Sequence, residues 1–148
     1  MFNNPYTDTN GNKRWYSDQG LHRLDGPAIE WAHGDRYWYQ NGKLHRDDGP
    51  AVVRSYGDVS WYESGLLHRD NGPAVEHANG SSAWYKHGKL HREDGPAVTL
   101  VGIGNQYYLD DKFYTEEQWR MELSKRVEYI DDNTIVLNGN KYRLIPVK

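Results

Sequence analysis

Four histidines recur at an interval of 23 residues, His22, His45, His68 and His91, and each is followed directly by an arginine. In three units the arginine stands two residues before an aspartate: Arg23 and Asp25, Arg46 and Asp48, Arg92 and Asp94. The remaining unit has Arg69 and Asn71. Imidazole and carboxylate in one short phrase could ligate a divalent metal or exchange protons. The spacing weighs against both. If each unit adds at least two strands to a sheet, equivalent side chains lie about 9.6 Å apart, whereas each ligand of a zinc sits within about 2.1 Å of it. Neighbouring ladder histidines therefore cannot share an ion, and one unit lacks the carboxylates or thiols to complete a site alone. Asn71 keeps a hydrogen bond and drops the charge, which suits a turn better than acid–base work. A catalytic acid is not expected in four registers. The expectation is a structural ladder, with no catalytic residue, no metal and no cofactor.

The elements that carry this ladder repeat with it. Trp15, Trp38, Trp61 and Trp84 share the 23-residue interval, as do Pro27, Pro50, Pro73 and Pro96. Four full units run from about Lys13 to Gly104, each ending its first half in a phrase such as "KLHRDDGPA" (residues 43–51). A fifth, degraded unit begins "NQYYLDDKFY": Tyr107-Tyr108 replace Trp84-Tyr85, and Asp111 stands where Gly88 stood. Loss of the phrase there is what a terminal repeat shows. Within a unit, "RYWYQ" and "PAVVRSY" read as strands, Asn41-Gly42 as a hairpin turn, and the proline of "DGPA" as a strand start. A two-residue turn at Gly34-Asp35 would set Trp31 opposite Trp38 with Ile29 on the same face. It would also group Val52 and Arg54 with Trp61, and Val75 and His77 with Trp84. A three-residue turn would invert that assignment.

A 23-residue unit with an aromatic strand, "NGKL" and then "DGPA" resembles MORN-type repeats, in the variant found in bacterial and bacteriophage proteins. The resemblance covers about Lys13 to Tyr114, although "LHRxDGPA" departs from the usual MORN glycine pattern. It implies a mainly β fold: an elongated single-layer antiparallel sheet of about four to five β-hairpin repeats, used for binding. Residues 1–12 form an N-terminal half-repeat or arm. Gly11, 23 before Gly34, favours the half-repeat, though "DGPA" is missing there. Residues 13–114 form the array.

Residues 115–148 differ. "YTEEQWRMELSKR" has Thr115 and Gln118 at capping-box spacing, acids in the first turn, and Lys125-Arg126 in the last. Trp119, Leu123 and Val127 would form one apolar stripe. "TIVLNGNKYRLIPV" reads as a hairpin turning at Asn138-Gly139. Helix and hairpin together are expected to cap the open end of the sheet.

Composition narrows the function classes. The 148 residues include no cysteine, 18 basic and 21 acidic side chains, and a net charge of −3, which excludes thiol chemistry and offers no basic footprint for duplex nucleic acid. No apolar run reaches the roughly 18 residues of a membrane span, and no secretory signal is read, so a cytoplasmic location without membrane partners is expected. Aromatics make up 14% of the chain and the mean hydropathy is −0.99, which predicts a thin sheet built on Trp and Tyr.

Because the scaffold dictates the repeated positions, the variable ones carry specificity. Trp31, Arg54, His77 and Leu100 occupy one equivalent position, and Tyr56 lies two beyond Arg54. Trp, Arg and Tyr are the commonest interface anchors, so this row is the candidate binding surface. The expected partner is another protein. Resemblance to repeats common in bacteriophages narrows that to a phage-encoded inhibitor of a host or defence protein. The alternative is a small-ligand or single-stranded nucleic-acid binder stacking on the aromatic rows, with Arg36, Lys43, Arg46 and Arg54 as the nearest basic cluster.

Overall fold

The computed structural model describes residues 5–125, 127–131, 134–137 and 140–143. The chain is mainly β. Its centre is an eleven-stranded antiparallel sheet that starts at Tyr6–Thr7 and ends at Lys112–Tyr114. Most strands are two residues long, and consecutive ones pair in order, as a meander. Beside it stands a stack of two-stranded hairpins, one per unit: Tyr16–Ser17 with Gly20–Leu21, Tyr39–Gln40 with Lys43–Leu44, Tyr62–Glu63 with Leu66–Leu67, and Tyr85–Lys86 with Lys89–Leu90.

The tryptophans are the pivots between sheet and hairpins. Each donates its N–H to the alanine carbonyl of "DGPA" on the sheet side, as Trp38 does to Ala51 at 2.8 Å. Each then accepts the N–H of the ladder histidine on the hairpin side, as Trp38 does from His45 at 3.1 Å. Ala28, Ala51, Ala74 and Ala97 are fully buried at this pivot, where a larger side chain would overpack the site. Ile29, Val52, Leu109 and Trp119 complete a thin apolar core.

The hairpins are also bonded to one another. Gly42 donates to Leu21 O at 2.9 Å, Gly65 to Leu44 O at 2.8 Å, and Gly88 to Leu67 O at 2.8 Å. Their turns place Asn41, Ser64 and His87 at φ +50°, +52° and +48°, each followed by a glycine with positive φ, the geometry of a tight hairpin turn. A side chain at Gly42 would also meet Gln19 O at 2.9 Å.

The register between units differs from the two-residue turn considered above. A three-residue loop, Ala32-His33-Gly34, is closed by Trp31 N–H to Asp35 O at 3.0 Å, so Ile29 lies opposite Tyr37 and Glu30 opposite Arg36. Val52 then pairs with Tyr37 and Ser60, and Val75 with Ser60 and Ala83. The assignment of faces is therefore inverted, and Trp31 does not face Trp38. The cause is local. Gly34 supplies φ +106° at the end of the loop, which leaves Asp35 free to bond elsewhere. Residues 5–14 repeat this geometry: Tyr6–Thr7 pairs with Lys13–Arg14 around a loop closed by Asp8 N–H to Asn12 O at 3.0 Å.

At the other end, helix Glu116–Ser124 packs on strands Gly104–Leu109 and Lys112–Tyr114. Its Thr115–Gln118 capping box is formed in both directions, and Glu116 and Glu117 lie in its first turn. Lys125 is the C-cap, outside the last turn, and Arg126 lies outside the described residues. The apolar stripe stops at Leu123, because Val127 already begins a strand. The run Val127–Asp131 pairs with Thr134–Leu137, which pairs with Asn140–Arg143, so the expected hairpin has a third strand. Asn138-Gly139, the turn residues, lie outside the described residues. Among the described residues, no helix is long and apolar enough to cross a membrane.

Candidate functional site

The repeated phrase is absorbed by the scaffold. Each ladder arginine sits over the tryptophan ring of its own unit, with guanidinium Cζ-to-centroid distances of 4.0, 4.1, 3.8 and 4.0 Å for Arg23, Arg46, Arg69 and Arg92. The glycine of "DGPA" closes the other side: a Cβ at Gly26, Gly49, Gly72 or Gly95 would meet the guanidinium at 2.8–3.0 Å. The same arginines donate to the carbonyls of Pro27, Pro50, Pro73 and Pro96 at 3.2–3.4 Å. Three also donate through Nε to the expected aspartates at 2.7 Å. Arg23 and Arg69 also bond the glutamate seven residues on, Glu30 at 3.2 Å and Glu76 at 2.6 Å, and for Arg69, which has Asn71 in place of the aspartate, that is the carboxylate it keeps.

Each ladder histidine joins its unit to the next. Nδ1 of His22, His45, His68 and His91 accepts the backbone N–H of Asn41, Ser64, His87 and Asp110 at 3.1–3.3 Å. An accepting Nδ1 puts the proton of a neutral imidazole on Nε2, where that of His45 faces Asp47 at 3.0 Å.

A second staple runs along the opposite edge, and sequence reasoning missed it. Asn12, Asp35, Asp58 and Ser81 each accept, through a side-chain oxygen, the backbone N–H of the residue twenty positions on: Ala32, Ser55, Ala78 and Val101, at 2.8–3.1 Å. The signal was present as a 23-residue column of short acceptors, Asn, Asp, Asp and Ser, none of which looks repeated by identity. Asp35 is the most committed of the four. It is only 4% exposed, and the Ser55 N–H, then Arg54 and His33, hold its carboxyl well below the usual carboxylate range. Asp58 is lowered in the same direction by the Ala78 N–H and then by His77.

The row singled out from sequence is largely engaged by the unit before it. Arg54 donates to Asp35 at 3.0 Å and to the hydroxyl of Tyr37, and lies 5.0 Å from the Tyr37 ring. His77 pairs with Asp58 at 2.7 Å. Trp31 is covered by the Arg14 guanidinium at 5.1 Å and stacks with His33. Leu100 is half-buried opposite Gly104. Tyr56 stands apart: it is 66% exposed, at the tip of the loop between Arg54 and Asp58.

That tip belongs to a series. The loops closing successive sheet hairpins carry Ala32-His33, Ser55-Tyr56, Ala78-Asn79, and Val101 with Ile103, all along one edge. Val101 is 58% exposed and Ile103 81%. On the hairpin side, the "HRxDG" turns of successive units enclose three grooves of about 450, 450 and 260 Å³. Each is lined by arginine, aspartate and the edge of the next tryptophan.

No family model, no curated protein and no solved structure matches this chain.

Proposed function

We propose that the chain is a non-enzymatic β-repeat module that binds another protein, and that it does so along the edge formed by its loop tips. One observation carries this reading. The residues of the repeated phrase are used in bonds that hold the sheet together, whereas Tyr56, Val101 and Ile103 leave large side chains in solvent at loop tips where the equivalent residues of other units are smaller or polar, Ile103 replacing the glycine of the earlier loops. Tips of adjacent units stand about 9.6 Å apart along the sheet, a comb suited to an extended protein surface. Exposed tyrosine is a usual interface anchor, and Val101 and Ile103 add apolar area further along the same row of tips.

The repeat itself reads as a MORN-type variant. Its bacterial and bacteriophage associations give the narrower form of the proposal: a phage-encoded inhibitor that occludes a host or defence protein. Occlusion requires affinity and no chemistry. Stacking of nucleic-acid bases draws less support, since the guanidinium groups already cover one face of Trp15, Trp38, Trp61 and Trp84.

The test is a tagged pull-down from bacterial lysate, with and without nuclease, using the natural chain and the Tyr56→Ala/Ile103→Ser variant. One stoichiometric protein that survives nuclease and is lost with the variant is expected. Recovery of nucleic acid alone, or of a partner that nuclease releases, overturns the reading. A partner retained by the variant removes the loop-tip edge as its site.

A further inference from the structure

We infer that the groove between the third and fourth hairpins is a surface site for a divalent transition metal of the zinc class, held by Glu63, His68 and His87. Nitrogen and carboxylate oxygen atoms of these three side chains all lie within 4.8 Å of one another. The Glu63 carboxylate is 3.6 Å from His68 Nε2 and 3.9 Å from His87 Nδ1. Two donors bound tetrahedrally at about 2.0–2.1 Å from one ion lie roughly 3.3 Å apart, so the two Glu63–histidine distances are within a few tenths of an ångström of that spacing, while the two histidines must be re-aimed to share the ion. Asp70 brings a further carboxylate oxygen to 3.3 Å from His68 Nε2. Two imidazoles and a carboxylate, with a position left for water, are a donor set that zinc and its neighbours favour.

The constellation is not a product of the repeat. Only His68 belongs to the ladder. Glu63 stands where the other units have Ser17, Gln40 and Lys86, and His87 stands where they have Asn41, Ser64 and Asp110. The scaffold needs neither residue, and the stacking of one hairpin on the next brings them together. His87 holds φ +48° in its turn, as Asn41 and Ser64 do at the equivalent places, so the turn itself does not call for an imidazole. A scan of equivalent positions could not have found the site, since its ligands come from three different columns.

Coordination requires two local movements. The rings of His68 and His87 are stacked, 4.2 Å apart and 8° from parallel, so their in-plane lone pairs cannot meet at one ion. His87 must rotate out of the stack, and its exposed place at the hairpin tip permits that. His68 Nδ1 accepts the His87 N–H at 3.2 Å, so Nε2 carries the ring proton. When metal takes Nε2, that proton passes to Nδ1 and the staple between these two units opens. Metal binding and the staple therefore compete, and the amide of His87 reports the competition.

The test uses tag-free protein, Zn2+ in a titration calorimeter near neutral pH, and hydrogen exchange at the His87 amide. The variants are taken from neighbouring units so that the fold tolerates them: His87→Asn, as at Asn41, and Glu63→Gln, as at Gln40. One zinc per chain is expected, with faster exchange at His87 on loading. Each variant should weaken binding by more than the roughly tenfold that loss of a supporting contact costs. Co2+ should give the visible bands of a low-symmetry, four- or five-coordinate site that vanish in both variants. No saturable heat with Zn2+, or binding that both variants leave unchanged, overturns the assignment.

Discussion

The backbone N–H of Ser64 donates to Nδ1 of His45 at 3.1 Å, across the boundary between two successive units. The contact recurs with His22 and His68, so the imidazole serves as an acceptor at those boundaries, whereas His91 Nδ1 at the last one also faces the Asp110 carboxylate at 3.1 Å. Replacing His45 by alanine should lower stability by about 1 kcal/mol, the usual net value of one such bond. Denaturant midpoints would measure the loss, and hydrogen exchange at the Ser64 amide should accelerate while that at Asn41 is unchanged. Zinc binding should be unaffected, since His45 lies in another unit.

Asp35 ties two units together at the opposite edge, and its titration makes that tie pH-dependent. Its folded carboxyl is held below the ordinary range, chiefly by the Ser55 N–H. A depressed acid stabilises the fold fully above its unfolded pKa, near 3.9, and loses that contribution as pH falls towards the folded value. Stability of the natural chain should therefore drop below about pH 4. Asp35→Asn keeps an acceptor for Ser55, as Asn12 does for Ala32, but gives up the charge facing Arg54. It should be less stable at neutral pH and flatter in acid. Asp35→Ala leaves the Ser55 N–H and Arg54 without their partner and should cost about 1–3 kcal/mol at pH 7. Thermal melts across pH 2.5–7 would separate the three proteins.

Gly49 tests the guanidinium sandwich. Its φ is not among the positive ones, so alanine would ordinarily stabilise by about 0.4–1 kcal/mol through the unfolded chain. Here the added methyl would stand 3.0 Å from Arg46 Cζ, and the arginine is pinned between Trp38, Asp48 and Pro50. Gly49→Ala should destabilise by about 1–3 kcal/mol. In an Arg46→Ala background the same change should become neutral or stabilising. Additive effects in that double-mutant cycle would mean that the guanidinium yields freely and that the glycine serves another purpose.

Periodicity made the architecture legible, because identical residues at equal spacing must occupy equivalent places. The eleven-stranded sheet, the hairpin turns at Asn41-Gly42, Ser64-Gly65 and His87-Gly88, the Arg23–Asp25 type of pair and the Thr115 cap all follow from that and from local turn and helix chemistry. What was hidden depended on function without identity. Asn12, Asp35, Asp58 and Ser81 do one job with three residue types. The faces were inverted because Gly34 closes a three-residue loop, one residue longer than the turn assumed, and a shift of that size exchanges every side chain's face. The row of Trp31, Arg54 and His77 was correctly seen as variable. Their charges and rings, however, find partners in Arg14, Asp35, Tyr37 and Asp58, none of which the row itself announces. The Glu63, His68 and His87 cluster needed two hairpins stacked in space before its members became neighbours.

Trp119 shows how the array ends. In the degraded fifth unit Tyr107 takes the place of the pivot tryptophan, and no arginine follows to cover it. The helix supplies the cover: the Trp119 ring lies 5.1 Å from that of Tyr107, and its Nε1–H donates to Arg92 O at 3.1 Å. In a repeat array each unit is stabilised chiefly by its neighbours, so losing the terminal contact should loosen the last unit first. Trp119→Ala should cost about 3–5 kcal/mol, the range for truncating a buried aromatic. Trp119→Phe keeps the ring contact and drops the hydrogen bond, and should cost about 1 kcal/mol from the missing bond. Hydrogen exchange would check the order of events: in Trp119→Ala, amides of Gly104–Leu109 should lose protection while those of Ile29–Glu30 keep theirs. Uniform loss along the sheet would mean that the array unfolds as one unit and that the helix stabilises all of it.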